Sequence, residues 1–149
     1  MRRAERETDV ELRDPERFAE SFDCLRGRAS YARVSTLVSR TTSGQLWIDP
    51  ATLHRISKAR HESLRSLDTP NKAAAFVTAM MVHALLDEER DRSDVLELGR
   101  RMLSGVLGEY WADLAFAEII EQARAIPSVA DLGRFLKACT RQWFMPDRM

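Results

Sequence analysis

Cysteine is nearly missing from this sequence: Cys24 and Cys139 are the only two in 149 residues. Two isolated thiols make no disulfide scaffold, and their spacing fits neither a zinc site nor a redox pair. They read as free, half-buried thiols in a reducing compartment. Glycine is scarce too, and Gly27, Gly44, Gly99, Gly105, Gly108 and Gly133 are scattered, whereas a phosphate cradle needs them clustered. The chain carries no nucleophile elbow and no His-Glu-x-x-His. It also has no Glu-x-x-His, the mark of a di-metal carboxylate bundle. His54, His61 and His83 are the only imidazoles. His54 and His61 stand two helical turns apart, about 10.5 Å along an axis, too far to share one metal without a bend. These absences argue against an enzyme, and neither a metal nor a cofactor is expected.

Lysine is rare, with only Lys58, Lys72 and Lys137, yet arginine brings the basic total to 23, which 23 acidic residues cancel. A neutral molecule is neither a dedicated DNA packager nor a binder of membrane surfaces. The first residues, MRRAERETDVELRD, hold no apolar core of the kind a secretory signal needs. No Sec-type signal, no membrane partner and a cytoplasmic location are therefore expected.

What the chain does have is one long uncharged stretch, Ala73 to Leu86, fourteen residues without Asp, Glu, Lys or Arg. As a helix it rises about 21 Å, too short for a bilayer. A helix apolar on every side must then be wrapped by protein. Thr69-Pro70 opens it, and the poor breakers from Asp87 to Arg90 predict that it runs to about residue 89. Met80 and Val82 are assigned to its core. His83 reads as a buried neutral imidazole whose ring N–H meets a carbonyl.

Around it lie further helical patterns. Asp14-Pro15-Glu16 is a helix start, with Phe18, Phe22 and Leu25 at helical spacing before Gly27. Tyr31, Val34, Leu37 and Val38 make the next stripe, to about Arg40. Leu46-Trp47-Ile48 reads as a short extended connector. Asp49-Pro50 opens another helix, predicted to reach about Ser66. Asp91 or Ser93 caps a helix bearing Val95, Leu96, Leu98, Met102, Leu103 and Val106. Tyr110, Trp111, Leu114, Phe116, Ile119 and Ile120 build a strongly apolar one. Ser128 caps the last. No strand pair or Asn-Gly hairpin is evident, and the starts are too irregularly spaced for a solenoid. The fold class is all-α: a bundle of six to seven helices around a buried central helix at about 70–89. Residues 1–13 are polar and aperiodic and read as disordered; residues 14–149 form the helical domain.

Two features bear on function. Charge is segregated along the chain: Cys24 to Lys72 holds nine bases against three acids, and Asp87 to Glu121 holds ten acids against four bases. On a continuous helix, His54, Lys58, His61 and Arg65 form one stripe opposite Leu53, Ile56, Leu64 and Leu67. Secondly, the tail Trp143-Phe144-Met145 is of the composition found at interface cores. The expected function is a non-catalytic protein–protein interaction module: an adaptor, chaperone-like or regulatory protein. Its partner-binding residues are assigned as Arg55, Lys58, His61, Arg65, Trp143, Phe144 and Met145. The partner is another protein, acidic where it meets the basic stripe, and a homodimer or heterocomplex is expected. The alternative is a helical nucleic-acid-binding regulator using the 54–65 stripe. That stripe lacks interleaved aromatics, and no helix-turn-helix geometry is evident, so nucleic acid ranks second.

Overall fold

The computed structural model describes residues 14–60, 67, 69–87 and 89–142. These contain seven α-helices: α1 Pro15–Arg26, α2 Tyr31–Thr41, α3 Pro50–Ser57, α4 Pro70–Leu85, α5 Arg92–Leu107, α6 Glu109–Ala125 and α7 Val129–Gln142. No strand occurs among the described residues, and none of their helices is long and apolar enough to cross a membrane.

Side-chain caps explain most of the starts. Asp14 Oδ1 accepts the Arg17 N–H at 3.0 Å with Pro15 in the first turn of α1. Ser30 Oγ does the same for Arg33 in α2, Thr69 Oγ1 for Lys72 in α4, and Ser128 Oγ for Asp131 in α7. Each oxygen satisfies one of the N–H groups that a helix leaves unpaired in its first turn.

The uncharged stretch is the centre of the bundle. Every residue from Ala73 to Met81 is buried, and α1, α2, α5 and α7 all pack against α4. Phe76 stacks between Phe18 and Phe22 of α1, with ring centroids 6.0 and 5.8 Å away. Where α4 meets α5, Gly99 leaves room for Met81: a β-carbon there would run into the thioether. Where α1 crosses α5, the two backbones touch at Gly105. Its carbonyl accepts the Asp14 N–H at 2.8 Å, and a β-carbon would lie 2.9 Å from the Phe18 nitrogen. Of the two remaining helices, α3 packs against α1 and α2, and α6 lies on α5 as an outer layer.

Four expectations are corrected. The helix begun at Pro50 stops at Ser57, not near Ser66. Ala59 adopts φ +60°, its N–H bonds the Ile56 carbonyl, and the Arg60 N–H bonds that of Arg55. That is a Schellman ending with alanine where glycine is usual. The central helix ends at Leu85 rather than at about 89. Asp87 turns its carboxylate back onto the Glu89 N–H, a local bond that competes with helix continuation. Val82 is partly buried at the edge of the core, whereas Met80 is fully enclosed. The thiols differ from each other as well, Cys24 exposed and Cys139 buried, instead of both being half-buried.

The connector behaves as the alternation of Leu46-Trp47-Ile48 predicts. Leu46 and Ile48 point inward and Trp47 is 59% exposed. Ser35 Oγ donates to the Ile48 carbonyl at 2.6 Å, and Thr42 Oγ1 accepts the Leu46 N–H at 3.1 Å. These bonds stitch the connector to α2.

Candidate interaction site

The end of α1, the turn into α2 and the end of α4 enclose a cleft of about 420 Å³. A second hollow of about 320 Å³ runs along the outer face of α2, past Thr36 and Leu37 to Arg40, and Arg33 lines both. Arg26, Arg28, Arg33, His83 and Arg90 line the larger cleft, with Asp87 the acid among them. Leu86 stands at its edge, 65% exposed.

These basic side chains fall into two groups. The first serves the fold. His83 Nε2 lies 3.0 Å from the Arg26 carbonyl oxygen. A carbonyl only accepts, so Nε2 carries the proton. Nδ1 is buried and has no hydrogen-bond partner among the described residues. Arg90 bonds the next two carbonyls, Cys24 at 2.6 Å through Nη2 and Leu25 at 3.2 Å through Nη1. Together these side chains close the C-terminal end of α1, where the carbonyls lack helical partners and the dipole favours positive charge. Arg26 holds the following turn through the Ala29 carbonyl at 2.8 Å, pairs with Asp23 at 3.2 Å and lies over the Tyr31 ring.

The second group is Arg28 and Arg33. Both are exposed, and neither guanidinium pairs with a carboxylate among the described residues. They flank the first turn of α2, the positive end of that helix dipole.

Behind the cleft a polar chain fixes the turn: the Tyr31 hydroxyl donates to Ser57 Oγ at 3.1 Å, and Ser57 Oγ donates to Asp23 Oδ2 at 3.1 Å. His54 meets the edge of the Tyr31 ring, with centroids 5.4 Å apart, and so props the aromatic. Ser57 therefore spends its proton on a carboxylate. No group of three His, Cys, Asp or Glu side chains placed to hold a metal occurs among the described residues.

The sequence-assigned residues are distributed differently. Arg55 on the last turn of α3 and Lys58 at its C-cap are exposed, and Arg55 donates to Thr52 Oγ1 at 3.2 Å. Thr52 in turn bonds Asp49, and that hydrogen bond holds the Asp49 carboxyl below the usual carboxylate range. His61, Arg65, Trp143, Phe144 and Met145 lie outside the described residues, as do residues 1–13. Because α3 ends at Ser57, the stripe from His54 to Arg65 does not continue along one helix. The cleft was missed from sequence. Arg26, Arg28 and Arg33 belong to the basic stretch, but Arg90 sits within the acidic one, and only tertiary packing brings it to α1.

The acidic part of the chain forms a separate surface on α6. Tyr110 and Leu114, four residues apart on its outward side, are 71% and 59% exposed. Asp113, Glu118 and Glu121 are exposed beside them. Arg100 bonds Asp113 at 3.3 Å, and Gln122 bonds Glu118 at 3.3 Å. The buried side of the same helix carries Ala112, Phe116, Ile120 and Ala123; the Trp111 side chain is outside the described residues. The chain matches no known family profile, no curated protein and no solved structure.

Proposed function

We propose that the protein is a non-catalytic interaction module, an adaptor or regulatory protein of the cytoplasm that works by holding another protein. The observation that carries this reading is the pair Tyr110 and Leu114 on the outer helix α6. Two large side chains at i and i+4 form the minimal anchor of a helix-face contact. Burying each in a partner is worth about 1.5–3 kcal/mol. The surrounding Asp113, Glu118 and Glu121 make a charged rim that selects against acidic partners and steers basic ones. Arg55 and Lys58 on α3, with His61 and Arg65, remain proposed contacts for an acidic surface. Trp143, Phe144 and Met145 remain proposed apolar contacts. A second copy of this chain, presenting its basic side to the acidic α6, satisfies the same chemistry.

The test compares the wild type with Tyr110→Ser/Leu114→Glu. Sedimentation gives the assembly state of the purified chain, and affinity capture from the native host gives its partners. The expected result is a dimer or heterocomplex that the wild type forms and the double variant loses, with circular dichroism unchanged. A double variant that keeps every assembly of the wild type removes α6 from the reading. Salt-sensitive binding of a short DNA duplex, lost in Arg55→Glu/Lys58→Glu, would move the function to nucleic-acid regulation.

A further inference from the structure

We infer that the cleft between the α1–α2 turn and the end of α4 receives a short acidic segment of a partner protein. Carboxylates would be held by Arg28 and Arg33, and a neighbouring apolar side chain would lie on Leu86. This rests on the reading of the protein as an interaction module, but it concerns a surface separate from α6.

Charge argues for the occupant. Arg28 and Arg33 are exposed, lack a carboxylate partner among the described residues, and flank the N-terminal turn of α2. An anion placed there meets two guanidiniums and the positive end of a helix dipole. Nearby, Arg26, His83 and Arg90 are tied to backbone carbonyls. The two arginines add field without having to move, so the site is organised before anything binds. The hollow along α2 extends the basic path to Arg40, long enough for a strand of peptide rather than a single ion. Asp87 is the one acid among the described lining residues, and it sets a limit: carboxylates are disfavoured on the α4 side, where Leu86 offers apolar contact instead.

That mixture favours a peptide over a nucleic acid. A phosphate backbone has no use for a leucine 65% exposed at the edge of its groove. Single strands also need an aromatic face to stack on; no Phe, Tyr or Trp is among the described lining residues, and Tyr31 at the start of α2 is covered by Arg26 with 4.5 Å from guanidinium to ring centroid.

The experiment titrates the full chain into a fluorescein-labelled peptide carrying one Leu among Asp and Glu residues, read by anisotropy at low and high salt. Polyglutamate, inorganic phosphate and a single-stranded oligonucleotide serve as competitors. The expected result is saturable binding that weakens with salt and drops at least about tenfold in Arg28→Glu/Arg33→Glu. Leu86→Ser should weaken this peptide several-fold and leave polyglutamate unaffected. Binding that is absent, or equal in wild type and the arginine double variant, overturns the proposal. So does polyglutamate binding as tightly as the leucine-bearing peptide. An oligonucleotide that displaces the peptide and binds tighter through the same arginines also overturns it, in favour of nucleic acid. The two readings fail separately: loss of the peptide site leaves an α6-dependent complex standing, and loss of that complex leaves the peptide isotherm standing.

Discussion

The imidazole of His83 donates through Nε2 to the backbone carbonyl of Arg26, 3.0 Å away and 57 positions earlier in the sequence. One helix end therefore closes another: the last turn of α4 and the residues after it supply the partners that the last turn of α1 lacks. Arg90 belongs to the same clasp, and its structural role separates it from Arg28 and Arg33.

Replacing Arg90 by Ala should destabilise the protein by about 0.5–1.5 kcal/mol, because the Cys24 and Leu25 carbonyls lose their donor at a partly exposed helix end. Arg28→Ala should change stability by no more than about 0.5 kcal/mol, as expected of an exposed side chain without a partner. Urea denaturation midpoints of the two variants distinguish a cation that builds the cleft from one available to a ligand.

Two glycine substitutions should act in opposite directions. In Gly105→Ala the new methyl would meet backbone of α1, with the Phe18 nitrogen at 2.9 Å and the Asp14 oxygen at 3.1 Å. The helices must separate, at a cost of about 1–3 kcal/mol or more. In Gly133→Ala nothing among the described residues lies within 4 Å of the added carbon. The gain in helix propensity should stabilise α7 by about 0.5–1 kcal/mol. Thermal and urea unfolding of both variants checks the sign.

Ala59→Gly should stabilise by about 0.5–1 kcal/mol. The residue sits at φ +60°, where the alanine methyl is strained and glycine is not; the looser unfolded chain of the variant takes back part of the gain. A melting temperature that falls instead would mean the Schellman ending at Arg60 is not what holds α3.

The thiols should respond unequally. A thiol reagent should modify the exposed Cys24 in the native protein and reach the buried Cys139 only on unfolding. Burial pushes the Cys139 thiol above its ordinary value near 9.0. Since the folded value is raised, its contribution to stability is intact below the ordinary value. It is lost as pH climbs past it, when only the unfolded chain gains by ionising. Comparing wild type with Cys139→Ala between about pH 8 and 10.5 isolates that slope.

Much of the fold was legible because its signals are local. Asp14-Pro15, Asp49-Pro50, Thr69-Pro70 and Ser128 each mark a helix start in the sequence, and the uncharged run after Lys72 could only be a core. The stops were harder. Ala59 takes a left-handed conformation without the glycine that would announce it. Asp87 ends α4 through a side-chain bond that competes with a helix pattern otherwise running on. The cleft was least legible, since it depends on Arg90 and His83 folding back on carbonyls of α1, and no spacing in the chain encodes that approach. The α6 surface was half legible: Tyr110 and Leu114 belong to a strongly apolar helix in the sequence, but which side of that helix meets α5 is set only by packing.

The central position of α4 also has a consequence in time. Two of the helices that cover it, α5 and α7, are made after it, and α7 is the last described. Thr140 of α7 completes the closure by donating to the Thr41 carbonyl of α2 at 2.9 Å, 99 positions back. At about 5–20 residues per second, a ribosome needs seconds to move from Leu85 to Gln142. Throughout that interval the stretch from Ala73 to Met81 has emerged, or is emerging, without its full cover. A growing chain of this design passes through a sticky stage that the finished protein never shows.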